Sequence, residues 1–307
     1  MNQTSSSNSA HFKYDRSVEN YKDFLNDPAK KDVALTWLNQ ANTFDSWRHN
    51  RIYSMLSPLI EEGKSSWLTV GDGRYGTDAN ALLKMGASNV HCSDISDVLL
   101  SIGAAEGFIN EFSVQNAESL TFSDNNFDFV LCKEAYHHLP RPHIALHEMF
   151  RVARKAVILI EPRDDIIDKG KLNWMLKLIK IILRKGGNSD SYGFEPVGNF
   201  VFSLSERECE KILLGMNNRF IAFHGLNDVY ESGVEFIELS TNNRSEKLRI
   251  LKLKAKLRLL NFLTWAGIRK SGLMLSALFK GEPDPSILMA LRHHGWRLKE
   301  LPRNPYA

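Results

Sequence analysis

"WLTVGDGRYGTDANALL", residues 67–83, sets four apolar or β-favouring residues directly ahead of Gly71, Gly73 and Gly76, then continues as a helix. A strand, a bare turn and a helix, in that order, clear side chains from the backbone at the carboxyl end of a strand. Open α/β sheets bind ligands at that place. The surrounding chain repeats the grammar. "SSWLTV" reads as a strand, 77–86 as a helix ended by Gly86, and "NVHCSDI" as a second strand. A helix over 96–106, a short strand near "FSVQNA", the strong strand "FDFVLC", a helix over 143–153 and the strand "KAVILIE" follow. Strands alternating with helices of about ten residues specify βαβ units and a parallel sheet.

This pattern divides the chain. Residues 1–17 are rich in serine and asparagine and read as disordered. Residues 18–62 form a helical extension, with Phe24, Leu25, Val33, Leu35, Trp37 and Leu38 in helical clusters and a further helix over 48–60. The α/β core spans 63–162. Residues 163–243 hold lid helices and remaining core elements, including "SLSERECEKILLGM" with Ser205 as N-cap and the strand "RFIAFHGL". A basic helical insertion covers 244–285, and 286–307 supply a helix and a strand that complete the sheet. The expectation is a doubly wound, mostly parallel, Rossmann-like sheet of seven strands, with helices inserted after strand five.

Bulk composition narrows the class without choosing a function. The 307 residues are 43% hydrophobic and 24% charged, ordinary for a soluble globular chain, and the net charge of +3 is too small to argue for nucleic acid. Cys92, Cys132 and Cys209 sit singly, as reduced thiols of a cytoplasmic protein do. "MNQTSSSNSA" lacks the apolar region of a secretory signal, and no run approaches a membrane span.

The turn itself has two readings. Gly71, Gly73 and Gly76 make G-x-G-x-x-G, and Asp94 closes the second strand about twenty residues on. This fits a nicotinamide dinucleotide or an S-adenosyl group equally, because both need close backbone approach and a carboxylate for the ribose hydroxyls. Residues 116–162, "NAESLTFSDNNFDFVLCKEAYHHLPRPHIALHEMFRVARKAVILIEP", separate them. An Ala-Glu pair after strand three, a "FD-V" strand with a "HH-L" loop, and a helix rich in Met, Leu and Arg resemble the class I S-adenosylmethionine (SAM)-dependent methyltransferases. The subgroup resembled acts on small molecules and bacterial surface glycans.

The resemblance implies SAM as cofactor, with Val70, Gly71, Asp72, Gly73 and Gly76 backing its methionine part. It implies Asp94 on the ribose, Ile95 on the adenine, Asn116 and Ala117 at the adenine edge, and Lys133 opening the loop that faces the sulfonium. Two positions depart from the family pattern. Thr69 stands where an acid is usual, and Tyr75 stands at the third glycine, with Gly76 one place late. Asp72 is the nearest substitute for the missing acid.

Transfer to a hydroxyl needs a base as well as alignment. His137, His138, Glu134 and Glu161 all fall at the carboxyl ends of strands four and five, and histidine titrates nearest neutral pH, so the His pair ranks first. His143 and His147 lie four apart on a helix but lack a third ligand, so no metal is expected. The acceptor is a small molecule or a sugar, and the residues that choose it should come from 1–62 and 163–285.

Two basic, apolar segments stand outside this core. In "KLNWMLKLIKIILRK" (171–185) and in 244–270, which carries nine Lys/Arg and one Glu, the pattern allows either a lid or a peripheral contact with an anionic membrane or lipid-linked glycan. Neither interleaves exposed aromatics as a surface for nucleic acid would. The alternatives to a methyltransferase are an NAD(P)-dependent oxidoreductase and a non-catalytic SAM-fold subunit.

Overall fold

The structure, a computed structural model, describes residues 14–39, 41–60, 64–164 and 200–306. Its centre is an eight-stranded sheet in the order β3-β2-β1-β4-β5-β7-β6-β8. Strands β1 (Ser66–Val70), β2 (Asn89–Asp94), β3 (Glu111–Val114), β4 (Phe127–Lys133) and β5 (Ala153–Pro162) run parallel to their neighbours. β7 (Leu273–Phe279) lies antiparallel between β5 and β6 (Phe220–Leu226), and β8 (Arg297–Glu300) is antiparallel to β6 at the edge.

Side-chain alternation along β1 and β4 feeds two cores, as a sheet covered on both faces requires. Trp67, Phe129 and Leu131 enter one with Leu82 of α4 (Thr77–Lys84), Leu100 of α5 (Leu100–Ala105) and Leu291 of α9 (Pro285–His293). Leu68, Val130 and Cys132 enter the other with Met149 of α6 (Pro142–Val152) and Leu213 of α7 (Glu206–Gly215). Each fully buried leucine contributes roughly 1.5–3 kcal/mol through removal of its surface from water.

Before the sheet, α1 (Asp15–Asn26), α2 (Pro28–Leu38) and α3 (Phe44–Tyr53) form the helical extension expected for 18–62. Asp27 caps α2, and Thr43 with Ser46 makes a reciprocal capping box on α3. Ser205 caps α7 by accepting from the Glu208 amide.

Two features differ from the sequence reading. The sheet has eight strands rather than seven: the strand expected in 286–307 is β8, whose exposed Arg and Lys suit an edge, and the extra one is β7. The stretch 244–285 is not a helical insertion throughout. Helix α8 (Arg244–Trp265) ends it early, and "LMLSALF" (273–279) is β7, buried at every position. A short continuous apolar run has no period to distinguish it from buried helix, and its basic neighbours masked it. The helix candidate at 171–185 lies outside the described residues.

Candidate active site

A cavity of about 1000 Å³ opens at the carboxyl ends of β1, β2, β4 and β5. Gly71, Asp72, Gly73, Arg74 and Thr77 form its floor, Asp94, Ile95, Leu99 and residues 115–118 one wall, and residues 133–135 with 137–140 the other, while α1 to α3 and the loop 230–236 cover it; Gly76 does not line it.

The three glycines do different things. Gly71 has φ +77°, and a Cβ there would stand 2.4 Å from the Cβ of Ala135. Gly76 has φ +74°, with the Cγ2 of Ile109 at 2.5 Å from such an atom. Both are required by the protein's own packing and left-handed backbone. Gly73 alone is bare toward the cavity, where a Cβ would lie 2.0 Å from the Tyr21 hydroxyl and 2.8 Å from Cγ of Asp94.

Asp94 sits at the end of β2 with its Oδ1 accepting from the Ser96 amide at 3.0 Å and its Oδ2 accepting from the Tyr21 hydroxyl at 3.2 Å. Burial pushes its carboxyl up to about 6, against the pull of the Ser96 amide and of Tyr21. Asp72 plays another part. It accepts from the amides of Asp78 (3.0 Å) and Ala79 (2.8 Å) and from the Thr69 hydroxyl (2.9 Å), so it fastens the start of α4. Burial, and then the Asp78 charge, hold its pKa above the usual carboxylate range. Thr69 and Asp72 together occupy the place where an acid two residues before Gly71 is usual, and their groups are committed to one another.

Beyond β4, Lys133 is buried, its Nζ 3.5 Å from Asp78 and 3.2 Å from Glu134. Burial alone would favour the neutral amine, but the Asp78 and Glu134 carboxylates keep it charged. Against its own burial, Glu134 is pulled down to about 2 by Lys133, and its backbone is left-handed at φ +50°. So firmly ionised a carboxylate is a weak base. Tyr53 extends the chain by donating to Asp78 at 2.6 Å.

His137 is the histidine turned into a built arrangement. Its Nδ1 is 2.5 Å from Oε2 of Glu161, a residue with no exposed surface. The other oxygen of Glu161 accepts from the amides of Ala135 (3.2 Å) and Tyr136 (2.9 Å), which fixes the loop that carries the imidazole. Fully enclosed, Glu161 orients rather than reaches a ligand. His138 is exposed, its ring 3.9 Å from that of His137. His143 faces Glu208 at 3.6 Å on the outside of α6, and the described residues hold no group of three or more His, Cys, Asp or Glu arranged for a metal.

On the wall formed by 94–99 and 115–118, Ile95 is half-buried, Ala117 buried, and Asn116 uses its Oδ1 to accept from the Glu118 amide. Tyr14 and Arg141 both bond Glu118 at 2.6 Å and clasp the start of α1 onto this wall.

Several cavity residues went unassigned in the sequence. Arg48 is held between Asp45 and Asp228 and lies 5.0 Å over the Tyr230 ring; Tyr230 in turn donates to Glu235 at 2.6 Å. His49 packs against Trp37 at 4.5 Å, and burial, then Lys133, push its pKa well down. Its Nδ1 is buried without a hydrogen-bond partner among the described residues. The density of polar and aromatic side chains in "FDSWRHNRIY" was the available signal, since a helix serving only the core would not need them.

Residues 68–160 match the family described as methyltransferase domain. No curated protein matches the sequence. Among solved structures, the [4+2]-cyclase SpnF aligns over 87% of this chain and 96% of its own at 15% identity and a TM-score of 0.52. The YcgJ protein of Bacillus subtilis aligns over 76% and 99% at 19% identity and 0.48. Magnesium protoporphyrin IX methyltransferase of Synechocystis, solved with bound SAH, aligns over 66% and 85% at 18% identity and 0.40. At 15% identity the likeness to SpnF speaks for the fold alone. The sheet agrees: an antiparallel β7 between β5 and β6 departs from the 3-2-1-4-5-6 order of dinucleotide-binding sheets, and the oxidoreductase alternative is not favoured.

Proposed function

We propose that this chain, with its Rossmann-like α/β sheet and a methyltransferase-domain match over 68–160, transfers a methyl group from SAM to a hydroxyl of a small-molecule or sugar acceptor. The observation that carries this reading is the meeting of two arrangements in one cavity: Asp94 beside bare Gly73, and His137 held by Glu161. The first fits an adenosyl ligand, because a carboxylate accepting from a hydroxyl next to a backbone without side chain is what a ribose requires. Bound SAM would supply an electrophilic methyl on its sulfonium.

The chain's own contribution is placement and proton removal. Gly71–Gly76 and Asp94 would fix the cofactor, Lys133 and Glu134 would border its charged centre, and the cover of α1 to α3 would exclude water. With Nδ1 donating to Glu161, the neutral tautomer leaves Nε2 as the acceptor for the hydroxyl proton. Glu161 would then stabilise the imidazolium, in the manner of a buried acid behind a catalytic histidine.

The acceptor half is bordered by Trp37, Asp45, Tyr230 and Glu235. Flat aromatic faces beside carboxylates suit a polyhydroxylated ring, which supports a sugar among small molecules. Cys92, Cys132 and Cys209 are all buried thiols, which supports a reducing, cytoplasmic setting. The test is turnover of SAM to S-adenosylhomocysteine against a panel of free and lipid-linked sugars. His137→Ala should abolish it while calorimetric SAM binding persists; full turnover in that variant removes the proposed base.

A further inference from the structure

Helix α8 has two apolar faces, and only one is used by the fold. Ile250, Leu253 and Leu257 pack with Phe44, Val229, Val234 and Ile237 in a third core. On the opposite side Leu248 (51%), Leu251 (59%), Leu259 (57%) and Phe262 (57%) are more than half exposed, and Trp265 at the helix end is 80% exposed. At 100° a residue, the four, with Ala255 between them, fall within an arc of about 80° along a helix about 33 Å long. Lys252 and Lys256 border this stripe on one side, Lys247 and Arg258 on the other. Among the described residues, Lys252, Lys256 and Arg258 make no ion pair.

We infer that this face of α8, unpartnered among the described residues, docks the protein on an anionic lipid surface. An exposed apolar stripe flanked by cations and ended by tryptophan is the arrangement of helices that lie in the interface plane, with apolar side chains among the acyl chains and ammonium groups at the phosphates. The helix is not a span: no described helix is long and apolar enough to cross a membrane. A second copy of the chain is a poorer occupant, because facing copies would set the rims of Lys247, Lys252, Lys256 and Arg258 against each other. A nucleic acid would match the cations but leave the stripe of Leu and Phe against phosphate. Anionic lipid satisfies both at once.

The docking face adjoins the cavity. The two segments that clamp the inner face of α8 also carry Asp45 and Arg48, and Tyr230 and Glu235, into the cavity wall. The surface contact would therefore hold the acceptor side of the cavity next to the bilayer, whatever the acceptor is.

Co-sedimentation of the full chain with phosphatidylcholine vesicles, with and without phosphatidylserine, tests this without any turnover assay. The inference expects binding to the phosphatidylserine vesicles at low salt, release at high salt, and little binding to phosphatidylcholine alone. The triple variant Lys252→Glu, Lys256→Glu, Arg258→Glu should weaken binding by about tenfold or more. Leu251→Gln, Leu259→Gln, Phe262→Gln should weaken it comparably, with the thermal unfolding midpoint of both variants near the parent's. Absence of binding at low salt would overturn the inference, and so would binding unchanged in both variants. A sedimentation-equilibrium dimer that only the glutamine variant dissociates, or capture of a DNA duplex in place of vesicles, would overturn it in favour of those partners.

Discussion

Tyr21, on α1, donates its hydroxyl to Asp94 at the end of β2, 3.2 Å away and 73 residues along the chain. The same hydroxyl stands over Gly73, in the space that the bare turn leaves open. Tyr21 therefore uses an acceptor that a ribose hydroxyl would need, and α1 must shift or share as the cofactor enters. Tyr21→Phe should tighten SAM binding about fivefold, the equivalent of about 1 kcal/mol for one net hydrogen bond no longer exchanged. Calorimetry checks it, and weaker binding would mean that the hydroxyl contacts the cofactor.

Gly71 and Gly73 should fail differently when given a methyl group. Gly71→Ala meets Ala135 and a left-handed backbone, and should lose about 3 kcal/mol of stability by thermal unfolding. Gly73→Ala meets the far end of the Tyr21 side chain and the Asp94 carboxyl, so its main loss should be in SAM affinity. Equal melting losses in the two variants would contradict this division.

Sensitivity to pH should follow Asp94. Its pKa is raised to about 6, so the ionised form that accepts ribose hydroxyls is lost as pH falls through that value. The apparent Kd for SAM should rise as pH drops below about 6, and Asp94→Asn should bind weakly with this step removed. The sign for stability is opposite. A raised carboxyl pKa means that folding favours the protonated form. Its stabilising contribution is complete below the ordinary aspartate range near 3.8 and disappears as pH rises through about 6. The unliganded parent should therefore lose this contribution between those limits, and Asp94→Asn should show a smaller decline.

Glu161→Gln keeps the shape of the fully enclosed residue but removes the charge behind His137. We expect kcat to fall by at least a hundredfold, about 2.7 kcal/mol, with SAM affinity little changed. Unchanged kcat would reduce Glu161 to a fastener of the loop 134–138.

The succession of strands and helices and the bare turn were readable because βαβ units write themselves locally: apolar runs, glycines at 71–76 and after α4, and an acid where β2 ends. Asp94, Gly73 and His137 could be named from such spacing. The division of labour among the glycines could not, since it depends on Ala135 and Ile109 arriving from distant elements. Nor could Asp72, whose carboxylate is explained by the amides of Asp78 and Ala79 once α4 exists. Tyr21 and Tyr230 reach the cavity only through packing of α1 and the loop 230–236, contacts with no local signature, and Arg48 and His49 had only the polar and aromatic density of α3 to point to them. β7 was concealed for the opposite reason: six apolar residues and Ser276, all buried, carry no alternation.

The central claim is that the cavity at Gly73 and Asp94 takes an adenosyl sulfonium. Isothermal titration of the full chain with SAM, S-adenosylhomocysteine and NAD, each separately, tests it most directly. The account predicts one equivalent of either adenosyl compound bound, with Asp94→Asn abolishing most of the affinity, and no heat with NAD. Saturable binding of NAD with no response to SAM or S-adenosylhomocysteine would contradict it.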